Sequence, residues 1–127
     1  EKLLATEGLA CLFPLWNHTS KDVVAQYLQS GFQAVVVCVN SAFLHERFCG
    51  RLLDESFFSD LPPGVDPCGE NGEYHSFVFD GPIFSRPINF KLGEVVYREY
   101  PSPKGADDCI ATPKPASGFY FCDLLPL

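Results

Sequence analysis

Apolar runs and helix-spaced apolar positions alternate along the first third of the chain. Residues 9–16 (LACLFPLW) are almost wholly apolar, which is typical of a buried strand. Apolar residues then recur at helical spacing and predict a helix over residues 20–30, capped by Thr19 and ended by Gly31. Residues 33–40 (QAVVVCVN) are continuous and β-branched, which predicts a second strand. A strand, a helix and a strand in succession predict a βαβ unit with a parallel strand pair.

Shorter elements are predicted in the middle of the chain. A helical turn is expected over residues 41–48, and Asp54 is placed to cap a second helix that ends before Pro62-Pro63. Residues 74–80 (YHSFVFD) alternate between two faces, as the residues of a half-buried strand do.

The last third of the chain predicts mostly strands. Residues 87–92 and 94–100 resemble a hairpin that turns at Leu92-Gly93. Residues 101–118 contain four prolines and predict a long surface loop, and residues 119–125 predict a final strand. We therefore expect one α+β domain over residues 1–127, with a βαβ unit at its start followed by helices and a mainly antiparallel sheet.

Composition narrows the classes of partner. The 127 residues are 46% hydrophobic and carry a net charge of −7, with no basic cluster that would neutralise a nucleic-acid backbone. No apolar run reaches the roughly 20 residues that span a bilayer. The six cysteines are widely spaced and lack a C-x-x-C pair, so we expect a reducing, cytoplasmic location rather than a disulfide framework. The sequence starts at Glu1 and contains no methionine, so we expect a fragment or a processed product.

The stretch from Gly64 to Phe84 concentrates the residues that carry chemistry. It holds the glycines Gly64, Gly69 and Gly72 together with several carboxylates and a cysteine, directly before a predicted strand. Glycines permit a positive φ and a close approach to the backbone, and loops of this kind expose polar groups to ligands. The composition predicts a binding site here.

Residues 68–82 (CGENGEYHSFVFDGP) resemble the E-G-G-E-[FY]-E-T motif and the D-x-P stretch of the N-type ATP pyrophosphatases, the diphthine–ammonia ligase family. Gly50-Arg51 followed by Asp54 agrees with the same family, as does an apolar strand ending in Leu15-Trp16. The resemblance covers roughly residues 3–100. His75 and Ser76 depart from it, because the family motif has Glu and Thr at those positions.

The resemblance implies a two-domain ligase that adenylates a carboxylate with ATP, and with Mg²⁺, before ammonia displaces AMP. The S-G-G-x-D-S phosphate loop of the nucleotide-binding domain does not occur in this sequence. The chain is therefore expected to be the acceptor-binding C-terminal half, inactive alone, with residues 1–16 contributing the last strand of the nucleotide-binding domain. That domain, the acceptor carboxylate and ammonia are the implied partners, and a homo-oligomer is a further expectation. There are two alternatives to this function: a non-catalytic binding or assembly module, and a ligase that acts on a different small carboxylate.

The resemblance also suggests the substrate-binding residues, although it assigns no catalytic group. They are Gly69, Glu70, Asn71, Gly72, Glu73, Tyr74, His75 and Arg51. Glu70, Glu73 and Tyr74 are expected to hold the trimethylammonium group of diphthine by charge and ring-face attraction. The alternative is that the two glutamates only cap a helix or pair with an arginine.

Other side chains admit a structural interpretation beside a chemical one. Arg51 would either reach a phosphate or hold Glu70 or Asp54, and Asp54 itself fits a helix cap better than a catalyst. His75 is either a general base or a strand residue without a role. Cys68 lacks a recognisable histidine partner. A zinc site is not expected, because Cys49, Cys68, His45 and His75 lack ligand spacing.

Overall fold

The structure is a computed structural model that describes residues 2–101 and 117–127. Its helices are α1 (Lys2–Thr6), α2 (Ser20–Ser30) and α3 (Glu55–Asp60), with a 3-10 turn at Glu46–Phe48. Its strands are β1 (Gln33–Asn40), β2 (Tyr74–Asp80), β3 (Phe90–Tyr100) and β4 (Ser117–Pro126). None of the helices in these two ranges is long and apolar enough to cross a bilayer.

The strands form one four-stranded sheet in the order β2-β1-β4-β3. Every pairing is antiparallel, and β4 lies between β1 and β3. Only Cys38–Asn40 of β1 pair with β4. The first half of β1 is bonded instead to the segment that follows the 3-10 turn. Val36 N donates to Arg51 O and Leu53 N donates to Ala34 O, both at 2.8 Å. The predicted α+β class with a mainly antiparallel sheet is confirmed.

The βαβ unit predicted at the start of the chain is wrong. Both neighbours of β1 run antiparallel to it, and residues 9–16 form no strand. Leu12 and Trp16 are 88% and 73% exposed, and the chain turns where Trp16 N donates to Phe13 O at 3.0 Å. Pro14 lies in this turn and has no N–H for a ladder. Residues 9–16 are apolar enough for a buried strand, but a strand also needs a partner to pair with, which composition does not reveal.

Both predicted helix caps are confirmed. Thr19 Oγ1 accepts from Asp22 N at 3.1 Å at the start of α2, and Gly31 ends that helix with φ +85°. Asp54 Oδ1 accepts from Phe57 N at 2.9 Å at the start of α3. These side chains satisfy backbone donors that a helix leaves without partners. Asp54 therefore has the structural role that its position indicated.

The hairpin predicted over residues 87–100 is wrong, because Phe90–Tyr100 is a single strand. The register shifts between Leu92 and Val95, so Gly93 lies in a bulge rather than in a turn. A Cβ at Gly93 would lie 3.1 Å from Asp123 Cβ, which explains the glycine as a close approach of two strands. The final strand is confirmed. Most of the loop predicted at residues 101–118 lies outside the described residues, and Ser117 and Gly118 belong to β4.

The core lies between one face of the sheet and the segment from Leu44 to α3. Its buried members are Val36, Val39, Leu44, Phe48, Cys49, Phe57, Tyr74 and Cys122. Phe57 is 0% exposed and packs edge-on against Phe48, Phe58 and Tyr74, with ring centroids 5.7, 5.6 and 5.3 Å away. Because Tyr74 begins β2, Phe57 connects the core to the loop that precedes this strand.

We expect Phe57→Ala to destabilise the protein by about 3–5 kcal/mol, since it removes a fully buried ring and leaves a cavity. Urea unfolding followed by circular dichroism measures this difference. Leu12→Ala is the control, because Leu12 is 88% exposed and should change the free energy of unfolding by less than about 0.5 kcal/mol. Similar losses in the two variants would show that Phe57 is not in the core.

Candidate functional site

A loop of residues 64–72, here called the glycine loop, connects α3 to β2. Gly64, Gly69 and Gly72 have φ values of +88°, +67° and +79°, so the conformation expected of these glycines is confirmed. Gly69 meets a second constraint. A Cβ there would lie 3.0 Å from Tyr74 Cε1 and 3.1 Å from Tyr74 O, closer than an ordinary van der Waals contact.

The Glu73 side chain is hydrogen-bonded to two backbone positions of the glycine loop. Its carboxylate accepts hydrogen bonds from Asp66 N at 2.5 Å and from Asn71 N at 2.7 Å. The residue is only 1% exposed, and its backbone carbonyl accepts from Asn40 N at 2.8 Å. A buried carboxylate is expensive unless it is well hydrogen-bonded, and here each oxygen has a backbone donor. Glu73 is thus directed into the loop rather than into solvent.

Further hydrogen bonds fix the rest of the glycine loop. The Tyr74 hydroxyl donates to Pro67 O at 2.5 Å, and Cys68 N donates to Asp66 Oδ1 at 2.9 Å. Burial raises the pKa of Tyr74, which keeps its hydroxyl protonated as a donor. The Cys68 thiol donates to Ser20 O at 3.4 Å and connects the loop to the first turn of α2.

A cleft of about 430 Å³, here called the α2 cleft, separates α2 from the glycine loop. Its apolar wall is formed by side chains of α2 and of the core: Val23, Val24, Tyr27, Leu53 and Phe58. Its opposite wall comes from the loop and the start of β2: Pro67, Cys68, Gly69, Glu70, Tyr74, His75 and Ser76. No lysine or arginine of the described residues lines it, so Glu70 is the charged group that an occupant would meet.

The structure brings together half of the residues suggested by the sequence. Gly69, Glu70, Tyr74 and His75 line the α2 cleft. Asn71, Gly72 and Glu73 complete the loop behind it, with Asn71 exposed and Glu73 buried.

Arg51 lies away from the cleft, against α3. Its guanidinium donates to Asp60 Oδ2 at 2.9 Å and to Ser56 Oγ at 3.1 Å. It also lies over the rings of Phe48 and Phe57, 5.6 Å from each centroid. The carboxylate it holds is therefore Asp60, rather than Glu70 or Asp54 as expected from the sequence.

The apolar wall was missed in the sequence because nothing distinguishes it from core. Val23, Val24 and Tyr27 form the apolar face of an amphipathic helix, which ordinarily packs against the interior. In the structure α2 has no buried residue, so this face covers a cleft instead. The sequence feature that indicates the site is the glycine-rich acidic loop directly before a strand, and this feature identifies only the loop wall of the α2 cleft.

The cysteines of the described ranges are free thiols, while Cys109 lies outside those ranges. Cys38, Cys49 and Cys122 are buried, and burial raises the pKa of Cys49 to about 12, with the neighbouring cysteines adding to the shift. Such thiols are poor nucleophiles at neutral pH. No cluster of three or more His, Cys, Asp or Glu in residues 2–101 and 117–127 is arranged to hold a metal ion.

Comparison with known proteins gives a consistent family. A family model described as the diphthamide synthase C-terminal domain matches residues 19–102. The chain is 33% identical over 87 residues to the diphthine–ammonia ligases of Bos taurus and Homo sapiens, covering 65% of this chain and 33% of theirs. It is 31% identical over 101 residues to that of Danio rerio, covering 76% of this chain and 40% of the relative. The chain thus spans between a third and two fifths of the length of these curated relatives.

We expect Gly69→Ala to cost more stability than Gly72→Ala. Both substitutions impose a positive φ on a residue with a side chain, which costs about 1–2 kcal/mol. A Cβ at Gly69 would also meet Tyr74, whereas at Gly72 a Cβ would have no atom of the described ranges within 4 Å beyond its chain neighbours. Urea unfolding of the two variants should differ by at least about 1 kcal/mol, the usual cost of overpacking. Equal losses would mean that Tyr74 does not pack against the loop.

Proposed function

Because the chain belongs to the family of diphthamide synthase C-terminal domains, we propose that its α2 cleft holds the acceptor of an ATP-dependent, amide-forming ligase of the diphthine–ammonia ligase type. The acceptor is a carboxylate that also carries a quaternary ammonium group, as diphthine does. The reaction as a whole requires the part of the ligase that this chain does not span.

The observation that carries this proposal is the combination of charge and rings in the cleft. Glu70 supplies a carboxylate at the exposed edge, and the aromatic residues Tyr27, Phe58 and Tyr74 lie among the lining residues. A quaternary ammonium group cannot donate a conventional hydrogen bond. It is therefore recognised by ring faces and by a nearby negative charge. Phosphate groups would be disfavoured by the same cleft, because Glu70 is negatively charged and no lysine or arginine of the described residues lines it.

In this proposal the cleft orients the acceptor and a nucleotide-binding domain does the activation. The cationic end lies between α2 and the glycine loop, so that the carboxylate points outward toward ATP and Mg²⁺ on the other domain. A carboxylate oxygen attacks the α-phosphorus and pyrophosphate leaves. Ammonia then attacks the acyl carbon, AMP leaves with the bonding electron pair, and the nitrogen loses its extra proton to solvent.

Exposed apolar side chains at the start of the chain suit a contact with that second domain. Leu9, Leu12, Phe13, Leu15 and Trp16 are each more than half exposed, which is unusual for so many apolar neighbours. We assign this surface to the nucleotide-binding domain of the same ligase, which acts in the cytoplasm.

One observation favours a related acceptor over diphthine itself. His75 and Ser76 both line the α2 cleft, at the positions where the family motif has Glu and Thr. Replacing a carboxylate by an imidazole removes one negative charge from the site. The second candidate is therefore a ligase of the same reaction type that amidates a different small carboxylate.

Binding of choline to this chain tests the recognition step, with the neutral isostere 3,3-dimethyl-1-butanol as reference ligand. We expect calorimetry to show preferential binding of choline, and Glu70→Gln to lower that preference by on the order of threefold to tenfold, as expected for one exposed charge beside aromatic residues. Glu94→Gln, an exposed change on β3, is the control and should leave it unchanged. Equal binding of the two ligands by the unaltered chain would contradict the proposed site.

AMP release by the whole ligase tests the reaction. We expect AMP to form only when ATP, ammonia and one member of a panel of ammonium-bearing carboxylates are all present. Glu70→Gln should raise KM for that acceptor more than it lowers kcat, because Glu70 contacts the end of the acceptor that does not react. AMP release only with a carboxylate that lacks an ammonium group would favour the second candidate, and failure of both kinds of carboxylate would argue for the non-catalytic assembly module.

A further inference from the structure

We infer that Glu73 is a positioning residue, which holds the glycine loop in the one conformation that places Glu70 at the edge of the α2 cleft. It does not contact the acceptor. This inference rests on the proposed function for the identity of the site, but the arrangement of the loop can be tested without any ligand.

Glu73 is not available to an acceptor in the α2 cleft. It is 1% exposed and is not among the residues that line the cleft, although its neighbour Tyr74 is. Each carboxylate oxygen of Glu73 is also engaged by a backbone N–H. Glu70, in contrast, is exposed.

The two donors lie on either side of Glu70 in sequence. Asp66 N and Asn71 N are bonded to the Oε2 and Oε1 atoms of Glu73, so one side chain holds both ends of the segment that carries Glu70. The intervening Gly69 permits the left-handed turn between these ends, with φ +67°. The position of Glu70 therefore depends on both hydrogen bonds at once.

Only an ionised carboxylate of this length satisfies both donors. Glutamine has a single acceptor oxygen, and its NH₂ group would face the second backbone N–H. Aspartate keeps the charge but is one methylene shorter, so it reaches the two donors less well. Glu73→Gln should therefore release one end of the segment while it preserves the volume of the buried side chain.

A double-mutant cycle distinguishes positioning from general stabilisation. The ratio of choline affinity to 3,3-dimethyl-1-butanol affinity is measured for the unaltered chain, Glu70→Gln, Glu73→Gln and the double variant. If Glu73 acts through Glu70, Glu73→Gln alone lowers this ratio by on the order of threefold to tenfold and by no more than Glu70→Gln does, but by less than about twofold when Glu70 is already glutamine. Equal reductions in both backgrounds would overturn the inference, because a purely structural residue acts independently of Glu70.

Alkylation of Cys68 supplies the readout that needs no ligand. This thiol is partly buried and bonded to Ser20 O, so its reaction with iodoacetamide should be slow. Site-resolved mass spectrometry with Cys11 as internal reference should show faster alkylation of Cys68 in Glu73→Gln than in the unaltered chain. Glu94→Gln, an exposed change on β3, is the control and should leave the Cys68 rate unchanged.

The choline measurement and the Cys68 alkylation measurement distinguish failure of the proposed acceptor from failure of the positioning role. If choline does not bind but Glu73→Gln exposes Cys68, the proposed acceptor is wrong and the positioning of the loop stands. If choline binds but the Cys68 rate is the same in Glu73→Gln, the positioning role is overturned while the site remains. Should Glu73→Gln not fold, Glu73→Asp takes its place, with a smaller expected increase in the Cys68 rate, and an unchanged rate in that variant would equally overturn the inference.

Discussion

The hydrogen bonds from Asp66 N and Asn71 N to the Glu73 carboxylate determine how the rest of the site is arranged. This carboxylate is buried away from water, so the free-energy cost of its desolvation must be offset by these two hydrogen bonds. The loop that supplies them is held in turn by Tyr74, whose hydroxyl bonds to Pro67 O and whose ring packs on Phe57. The core, the start of β2 and the glycine loop therefore depend on one another. A change at Glu73 should alter the loop and, through Pro67 and Tyr74, the wall of the α2 cleft as well.

This arrangement separates two tasks that carboxylates can perform in one short motif. Glu73 is buried and satisfied by backbone donors, whereas Glu70 is exposed beside aromatic residues. A rigid scaffold beneath an exposed charge keeps that charge in place before a ligand arrives, which reduces the ordering cost of binding. In the proposed ligase, the negative cleft selects the cationic end of the acceptor and leaves the phosphates to the other domain.

Local features of the fold could be predicted from the sequence, and long-range pairings could not. The cap at Thr19, the stop at Gly31 and the β-branched run of β1 act within a few neighbours, so α2 and β1 were placed correctly. Residues 9–16 have the composition of a buried strand, but none of the strands β1–β4 pairs with them, and most of their large apolar side chains are exposed around the turn at Pro14. Gly93 looked like a turn because a bulge and a turn both use glycine, and only the pairing with β4 distinguishes them. For the site, the motif identified the loop, whereas the direction of Glu73 and the contribution of α2 required the three-dimensional arrangement.

Hydrogen exchange of the Asp66 and Asn71 amides is the most direct test that the Glu73 carboxylate organises the glycine loop. Both amides belong to a loop rather than to a helix or a strand, so without this carboxylate they should exchange with little protection. Two-dimensional NMR of the unaltered chain should show each amide exchanging at least about tenfold more slowly than the intrinsic rate of an unstructured peptide. Exchange of either amide at that intrinsic rate would contradict the account, because the carboxylate would then not be holding that end of the loop.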